Sequence, residues 1–451
     1  MAVIQEKSAH AVAGSSRQGG LESQEKREVS APPFIARVAL LTGGGDKPYA
    51  FGIADALTSA GVCLDFIGSD DLDVPELHHN PRLRCRNLRG DQNTNAGQVR
   101  KMSRIAIYYF RLFFYTAIPA PGIIHILWNN KFQVFDRTLL MLYYKLLGKK
   151  IVFTAHNVNA GKRDGNDSFL NRLTLKIQYT LSDHIFVHTE AMKNELKADF
   201  TVPDIKISII PFGINNTVPN TALTVTEAKK MLGIKPGDKT LLFFGRIAPY
   251  KGLEYLTNAL GMLTQKDSNY RLIIAGHVKQ LTSVGSLKNS CNQYWNDILA
   301  DIARGGLNEQ IIKRIEFIPD EETELYFKAA DVLVLPYVNI FQSGVLFLSY
   351  SFGLPVIATD VGSLKEEIIE GRTGFVCPPK DPAALARAIE SHFTSDLYAN
   401  SESRRREIQE YANDRYSWAK VAAITTGVYS KLVKSDVCVP ATATCNSGRA
   451  F

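Results

Sequence analysis

Four short apolar runs decide the fold of this chain: LLFFGR at residues 241–246, LIIAG at 272–276, DVLVLP at 331–336 and FGLPVIAT at 352–359. Each run is apolar almost throughout and ends in a turn signal, which is typical of strands buried on both faces of a parallel sheet. Ligands of such sheets bind at the carboxyl ends of the strands. Arg246 and Lys251 follow the first run, so the sequence places two cations where a helix N-terminus can bind a diphosphate.

The N-terminal half alternates in the same way. It predicts strands at residues 36–41, 64–68, 123–128, 150–154 and 184–188, with helices between them at 48–60, 102–115, 137–147 and 168–181. Strict alternation of strand and helix indicates an α/β fold with a doubly wound parallel sheet. A polar stretch at 215–226 then precedes a second alternating half, which begins at Lys239 and ends near Phe393. We therefore predict an N-terminal domain at 35–213, joined by a helical segment at about 404–433, and a C-terminal domain at 214–403.

Length and composition agree with two globular domains. A chain of 451 residues is too long for one core, and 45% hydrophobic with 22% charged residues is the balance of a folded protein. Residues 1–34 and 434–451 are polar and predict a disordered leader and tail, with neither a signal peptide nor a membrane span. The six scattered cysteines have no metal-binding spacing and favour a reducing compartment, so we expect a cytoplasmic protein.

Positive charge is concentrated in one segment. Residues 82–150 carry thirteen lysines and arginines against two aspartates, although the net charge of the whole chain is only +7. The predicted helix at 102–115 is rich in aromatic residues, and cations lie along and before it: Arg100, Lys101, Arg104 and Arg111. This pattern predicts an anionic partner, either a membrane surface at the cytoplasmic face or an acceptor. The alternative is a core helix with a cationic solvent face. No nucleic-acid-binding module is visible.

Three motifs resemble those of family 4 glycosyltransferases: GR-x4-KG at residues 245–252, PFG at 211–213 and FGLPVI at 352–357. TGGG at 42–45 and TAHN at 154–157 add weaker support, and the resemblance covers about residues 35–435. It implies the GT-B fold, in which two Rossmann-like domains face each other across a cleft. It also implies metal-independent transfer of a sugar from a nucleotide diphosphate sugar, with retention of anomeric configuration. We expect the sugar to be a hexosyl unit and the acceptor to be a glycan or, if the basic aromatic helix binds a membrane, a polyprenyl-linked saccharide.

The resemblance also implies which residues form the site. The catalytic residues would be His156, Arg246 and Lys251. The donor diphosphate and sugar would be held by Gly44, Gly245, Arg246, Lys251, Gln342, Ser343, Gly344 and Val345, and the nucleoside by Gly276, Ile318 and Leu348. Without a metal, fixed cations and helix N-terminal amides can stabilise a leaving diphosphate. The structural alternatives are a surface cation pair, a plain N-cap at Ser343 and a core histidine at position 156.

One departure from the family pattern bears on activity. The two glutamates that the family usually carries fall on Ile340 and Leu348 here, beside a QSG triplet at 342–344 that resembles a variant within the family. A non-catalytic GT-B scaffold or a sugar-nucleotide-binding protein is therefore an alternative, as is a GT-B epimerase or phosphorylase. Asp71 and Asp73 spell a D-x-D metal motif, but it lies in an acidic loop of the wrong half. We expect no metal and no cofactor besides the nucleotide sugar co-substrate.

Overall fold

The computed structural model describes residues 37–93, 96–163, 167–214, 218–278 and 287–434. The predicted leader at 1–34 lies outside the described residues, as does the predicted tail except for its first residue.

The N-terminal half forms a sheet of seven parallel strands in the order β3-β2-β1-β4-β5-β6-β7. Its central strands are buried along nearly their whole length, as expected for a sheet covered by helices on both faces. The strands are β1 (Arg37–Leu41), β2 (Cys63–Gly68), β3 (Leu83–Asn87), β4 (Ile123–Ile126), β5 (Lys150–Thr154), β6 (His184–Val187) and β7 (Ile207–Ile209).

In the described residues of this half, eight α-helices accompany the sheet. They are α1 (Lys47–Ser59), α2 (Pro75–His78), α3 (Gln98–Ala117), α4 (Gln133–Arg137), α5 (Leu139–Leu146), α6 (Ala160–Arg163), α7 (Phe169–Leu181) and α8 (Glu190–Phe200). The helix predicted at 137–147 corresponds to α5, but it begins two residues later, because the backbone at Thr138 leaves the helical region. The short helix α4 before it was not predicted. The aromatic helix is also longer than predicted.

The C-terminal half forms a sheet of six parallel strands in the order β10-β9-β8-β11-β12-β13. The strands are β8 (Lys239–Phe244), β9 (Tyr270–Ala275), β10 (Ile311–Arg314), β11 (Val332–Leu335), β12 (Val356–Thr359) and β13 (Gly374–Cys377). The helices around them are α9 (Val225–Met231), α10 (Leu253–Thr264), α11 (Leu287–Arg304), α12 (Asp320–Ala329), α13 (Gly344–Ser351), α14 (Leu364–Glu367), α15 (Pro382–Phe393) and α16 (Asp396–Ala399). Two doubly wound parallel sheets confirm the predicted fold class.

The last two helices divide between the halves. Helix α17 (Ser401–Arg415) packs against α13 of the second half, whereas α18 (Trp418–Lys434) packs against α1 of the first. The Tyr429 hydroxyl of α18 lies 2.5 Å from His125 Nδ1 on β4, which ties α18 to the first sheet. Both sheets belong to one compact unit.

Candidate active site

The loops after β8 and β9 approach each other closely because both contain a glycine with positive φ. Gly245 has φ of +95° and donates its N–H to the Ala275 carbonyl, and Gly276 has φ of +146°. A Cβ atom on Gly276 would lie 1.9 Å from the Gly245 carbonyl oxygen, so no larger residue fits there. Arg246 follows Gly245 with an exposed side chain at the carboxyl edge of the second sheet.

Lys251 is buried at the same edge, and it precedes the helix rather than lying on its first turn. It ends a 3₁₀ turn, and Gly252, in the left-handed conformation, separates that turn from α10. Its side chain is only 5% exposed, and Nζ lies 5.1 Å from the ring centre of Tyr337. Among the described residues no carboxylate forms an ion pair with Lys251 or Arg246. Burial and the nearby Arg246 charge lower the pKa of Lys251 to about 8.

Helix α13 presents its N-terminus beside these cations. Ser343 is its N-cap residue, but the hydroxyl lies 3.4 Å from the Tyr337 hydroxyl and caps no first-turn amide. A Cβ atom on Gly344 would meet nothing within 4 Å. Both polar atoms of the Gln342 amide are buried and have no hydrogen-bond partner among the described residues. The first turn of α13 therefore offers unused donors next to Lys251.

A cavity of about 300 Å³ separates this edge from the first half. It is lined by residues of the first loop, of the crossover, of α13 and of α18: Asp46, Pro48, Tyr49, Phe212, Gly213, Ile214, Gly344, Val345, Leu348 and Trp418. Leu348, predicted to contact the nucleoside, thus faces the cavity. Ile318 is instead packed in the core of the second half, while Gly276 lies against Gly245.

His156 follows β5 and takes part in a chain of two imidazoles. His188 Nδ1 lies 3.2 Å from the Ile210 carbonyl and therefore donates to it, and His188 Nε2 lies 3.1 Å from His156 Nδ1. His156 must then donate through Nδ1, which leaves Nε2 as an acceptor. This Nε2 is buried with no hydrogen-bond partner in the described part of the chain. Burial, reinforced by the neighbouring histidines, holds the pKa of His156 well below its ordinary value.

Trp128 connects His156 with the glycine loop after β1. The indole stacks on the His156 ring with 4.2 Å between ring centres and 6° between planes. The indole also contacts Gly45, where a Cβ atom would lie 2.0 Å from the ring. Gly44, predicted to bind the donor, lies against Arg89: its Cβ would be 2.3 Å from Arg89 Nη1. The carboxyl ends of β1, β4 and β5 therefore converge as the predicted fold requires.

Family models match both halves of the chain. Residues 44–217 match the model described as Glycosyltransferase Family 4, and residues 224–415 match the model described as Glycosyl transferases group 1.

The chain belongs to the family 4 glycosyltransferases.

Similar proteins agree with this assignment. A D-inositol 3-phosphate glycosyltransferase of Pseudarthrobacter chlorophenolicus is 27% identical over 441 residues, which cover 90% of this chain and 97% of that protein. The enzyme of the same name from Corynebacterium efficiens is 26% identical over 302 residues, which cover 63% of this chain and 66% of that protein. The chain therefore spans just under two thirds of this second relative.

Solved structures share the fold of this family 4 glycosyltransferase. Sucrose-phosphate synthase from Thermosynechococcus elongatus superposes with a TM-score of 0.69 and 20% identity, covering 89% of this chain and 100% of that one. Anabaena HepE in complex with UDP-glucose superposes with a TM-score of 0.66 and 15% identity, covering 88% of this chain and 99% of that one. At these identities the likeness shows the fold alone, and it confirms the GT-B architecture.

Two residues of the glycosyltransferase site escaped the sequence analysis. His277 follows Gly276 at the end of β9; burial and the charges of Arg246 and Lys251 lower its pKa. Its position directly after an apolar strand could have identified His277 as a candidate site residue from the sequence. Trp128 also follows a strand, but its contacts with His156 and Gly45 are visible only in three dimensions.

Helix α3 exposes most of its surface. Its buried residues are Tyr108, Leu112 and Thr116 alone, and large apolar side chains project from it into solvent: Val99, Met102, Ile107, Phe110, Phe113 and Phe114. Of the four cations predicted to form an anionic-partner surface, Arg100 and Arg104 pair with Asp91 at 3.2 and 3.3 Å. Lys101 is half-buried and Arg111 is exposed. No helix among the described residues is long and apolar enough to cross a membrane.

The aspartates of the D-x-D motif separate in the structure. Asp73 lies 2.6 Å from His78 and, with Cys85 of edge strand β3, forms the one group of possible metal ligands that the described residues bring together. Asp71 is exposed and is not part of this group. The motif thus does not place two carboxylates together for a diphosphate-bound metal.

Proposed function

We propose that this protein is a retaining, metal-independent hexosyltransferase that moves a sugar from a nucleotide diphosphate sugar to a glycan or lipid-linked saccharide. The observation that carries the proposal is a pair of cations, Arg246 and Lys251, that lack acidic partners among the described residues. They lie beside the uncapped N-terminus of α13 and across a cavity from the first half.

The diphosphate leaving group accounts for these features. Lys251 is held in a largely apolar setting, between the rings of Phe243 and Tyr337, where an unpaired ammonium is costly. An anion at this edge offsets that cost, because charge pairs interact more strongly away from water. Arg246 and the first-turn amides of α13 add donors to the same group. Together they stabilise the charge that develops as the glycosidic bond breaks.

Two further groups suit the sugar. His156 Nε2 is a buried acceptor, and its depressed pKa keeps the ring neutral, so a sugar hydroxyl can donate to it. The Gln342 amide also has no partner: its Nε2 can donate to a sugar hydroxyl and its Oε1 can accept from one. We infer that Gln342 takes over part of the sugar recognition that a carboxylate performs elsewhere in the family.

Retention follows when attack and departure occur on one face of the sugar. The acceptor oxygen forms its bond to the anomeric carbon as the bond from that carbon to the diphosphate oxygen breaks. The acceptor proton passes to the departing diphosphate. Asp46 is the only carboxylate among the described residues that line the cavity, and it accepts the Tyr49 N–H as the N-cap of α1. The proposed step therefore uses no protein nucleophile.

Calorimetric titration with UDP, GDP and ADP tests the donor site. UDP is the first candidate, because a protein of the same fold was solved with UDP-glucose. Arg246→Ala should abolish or greatly weaken the binding of one nucleotide. Arg304→Ala, which removes an exposed arginine of α11, is the matched control and should bind normally.

Other results would favour the alternatives. A protein that binds none of the nucleotides would be a scaffold rather than a transferase. Turnover that requires inorganic phosphate and no nucleotide would indicate a phosphorylase, and conversion of the nucleotide sugar without an acceptor would indicate an epimerase.

We further propose that α3 attaches the enzyme to an anionic membrane at the cytoplasmic face, where a lipid-linked acceptor would lie. Its apolar face continues onto the neighbouring helix, because Phe113 stacks on Tyr143 of α5 with 4.1 Å between ring centres. Phe110 and Phe114 lie side by side on the solvent face. Exposed aromatic residues within a cationic segment are characteristic of interfacial helices.

Vesicle sedimentation tests this attachment. The protein should bind vesicles that contain anionic lipid, bind less at high salt, and lose binding when Phe110 and Phe114 are both replaced by serine. Ile205→Ser changes a still more exposed apolar residue outside α3 and should bind normally. Equal binding to neutral vesicles would contradict the electrostatic part of the proposal.

A further inference from the structure

Three side chains of the types that bind zinc meet at the β3 edge of the first sheet. They are Asp73, His78 and Cys85, and their ligand atoms all lie within 4.8 Å of one another. The Asp73 carboxylate is 2.6 Å from His78 Nε2 and accepts a hydrogen bond from the Cys85 thiol. In a tetrahedral site with metal–ligand bonds of about 2.0–2.3 Å, neighbouring ligand atoms are roughly 3.3–3.8 Å apart. Small side-chain movements therefore bring the three groups into the geometry of a zinc site.

The fold holds these ligands on three separate elements. Asp73 directly follows a 3₁₀ turn, and its N–H donates to the Asp70 carbonyl at 3.2 Å. His78 is the last residue of α2, and Cys85 is the middle residue of β3. Leu77, which precedes His78, packs against the same hydrophobic core as Cys85. Packing therefore keeps α2 beside β3 without any help from the ligands themselves.

The chemistry of the three groups favours zinc over the lighter divalent ions. A thiolate, an imidazole and a carboxylate all bind Zn²⁺, and three protein ligands leave a fourth position for water. Mg²⁺ and Ca²⁺ prefer a larger set of oxygen ligands, which one carboxylate does not supply. The His78 and Asp73 side chains are partly exposed and Cys85 is half-buried, so an ion can reach the group from solvent.

The segment that carries Asp73 and His78 is acidic, although the chain as a whole is basic. Residues 48–81 contain no lysine or arginine. Four acidic residues lie close together in this segment: Asp70, Asp71, Asp73 and Glu76. Arg84 and Arg86 flank Cys85, but alternate side chains of a strand point to opposite faces, so both extend away from the sulfur. The local charge thus attracts a cation to this edge.

Binding must displace the proton of the Cys85 thiol. Burial and the neighbouring Asp73 carboxylate raise the pKa of Cys85 to about 12 in the protein alone. A divalent cation placed between the two groups offsets the charge of Asp73, and a thiol that coordinates such an ion loses its proton to solvent. Asp73 then changes from an acceptor of the thiol hydrogen to a ligand of the same ion.

We propose that Asp73, His78 and Cys85 form a zinc site that fastens α2 and the turn before it to the edge strand β3. The ion would serve the stability of the first half and not the transfer reaction. Strand β3 is the outermost strand of its sheet, and β2 separates it from β1, which carries the glycine loop. The inference is therefore independent of the proposed function and compatible with metal-independent transfer.

Zinc chloride is the first probe, titrated into the full-length protein after dialysis against a chelator. One zinc should bind. Cys85→Ser and His78→Gln should each weaken binding by more than about 100-fold, because a change in an outer-shell partner alone costs roughly 10- to 100-fold. His78→Gln changes an exposed side chain and carries little risk to folding. The matched controls are Cys63→Ser on β2 and His79→Gln, which change the same residue types outside the group and should bind normally.

Cobalt and thermal unfolding add two readouts. Co²⁺ should give the charge-transfer band of a cobalt–thiolate bond and the visible bands of a four-coordinate ion, both lost in Cys85→Ser and kept in Cys63→Ser. Zinc at about 100 times its dissociation constant should raise the Tm by about 3 °C, and it should leave the Tm of Cys85→Ser unchanged. A chelator should reverse the shift in Tm.

Three results would overturn the inference. The first is that the unmodified protein binds no zinc. The second is binding that survives both Cys85→Ser and His78→Gln, because the ion would then be held by other side chains of the chain. The third is displacement of zinc by an equal concentration of Mg²⁺, which would indicate an oxygen site in the acidic segment. None of these measurements uses a nucleotide, so their outcomes are separate from those that test the donor site.

Discussion

Binding of a nucleotide diphosphate should weaken as the pH rises from 7 to 9, because Lys251 loses its proton in this range. Burial lowers the pKa of Lys251 to about 8 in the free protein. A bound diphosphate favours the charged ammonium and raises this pKa again. The nucleotide therefore binds best to the protonated protein, and each deprotonated molecule must take up a proton on binding.

The size of the effect follows from the pKa alone. With a pKa of about 8, the protonated fraction is about nine tenths at pH 7, one half at pH 8 and one tenth at pH 9. The apparent affinity should fall by the same factors, so the dissociation constant rises roughly tenfold between pH 7 and pH 9. Neighbouring groups do not mask this change. Burial raises the pKa of Tyr337 and lowers that of His277, so both remain neutral.

Isothermal titration with UDP at pH 7, 8 and 9 measures the effect directly. Repeating the pH 8 titration in buffers of different ionisation enthalpy should reveal uptake of about half a proton for each nucleotide bound. Lys251→Arg is the matched variant, because an arginine keeps its charge throughout this range. Its affinity for UDP should be independent of pH, whatever its absolute value. A constant affinity of the unmodified protein, or an equal decline in Lys251→Arg, would refute the assignment of Lys251 to the diphosphate.

Three further predictions concern metal, acid and the glycine contact. A chelator should leave turnover intact, because the proposed leaving-group site uses cations and amides; loss of turnover that added Mg²⁺ or Mn²⁺ restores would contradict this. Stability to denaturant should fall as the pH drops from 6.5 toward 4, since burial lowers the pKa of His188 and of His392 to about 4 in the folded protein. In this range the unfolded chain binds more protons than the folded chain, so acid favours unfolding. Each such histidine contributes roughly 1.4 kcal/mol per pH unit to the slope of stability against pH. His392→Phe, which is remote from the cleft, should reduce the slope by about this amount. Gly276→Ala should destabilise the protein by at least about 2 kcal/mol, because alanine is strained at this positive φ and its Cβ meets a carbonyl oxygen. Gly306→Ala, at a positive φ with open space around it, should cost about 1 kcal/mol. Equal losses in the two variants would contradict the close contact at Gly276.

Most of the fold could be predicted because the central strands are buried on both faces. Their apolar runs, as in β8 and β9, are unmistakable in the sequence. Strand β3 was missed because it is an edge strand, and its alternating arginines give it no apolar run. Strand β7 has only three residues and also lies at an edge, so it left too short a signal.

The candidate site could be predicted only where it follows the strands in sequence. Arg246 and Gly344 lie at fixed offsets from apolar runs, and the structure brings them to one edge. The conformation of Lys251 depends on Gly252 in the left-handed region, which favours a 3₁₀ turn over a helix start. The contact of Arg89 with Gly44 joins residues from different strand ends, so no local pattern reveals it.

Trp418 lies where the chain passes between the two halves. The chain passes between them twice, through Ile214 and again before α18, and both passages lie side by side. Ile214 donates its N–H to the Tyr416 carbonyl at 3.0 Å and accepts from Trp418 Nε1 at 2.9 Å. Two adjacent connections act as a single hinge, which permits rotation but resists sliding or separation. Since Trp418 and Ile214 also line the cleft cavity, opening should displace that cavity little and the distant edges of the halves most.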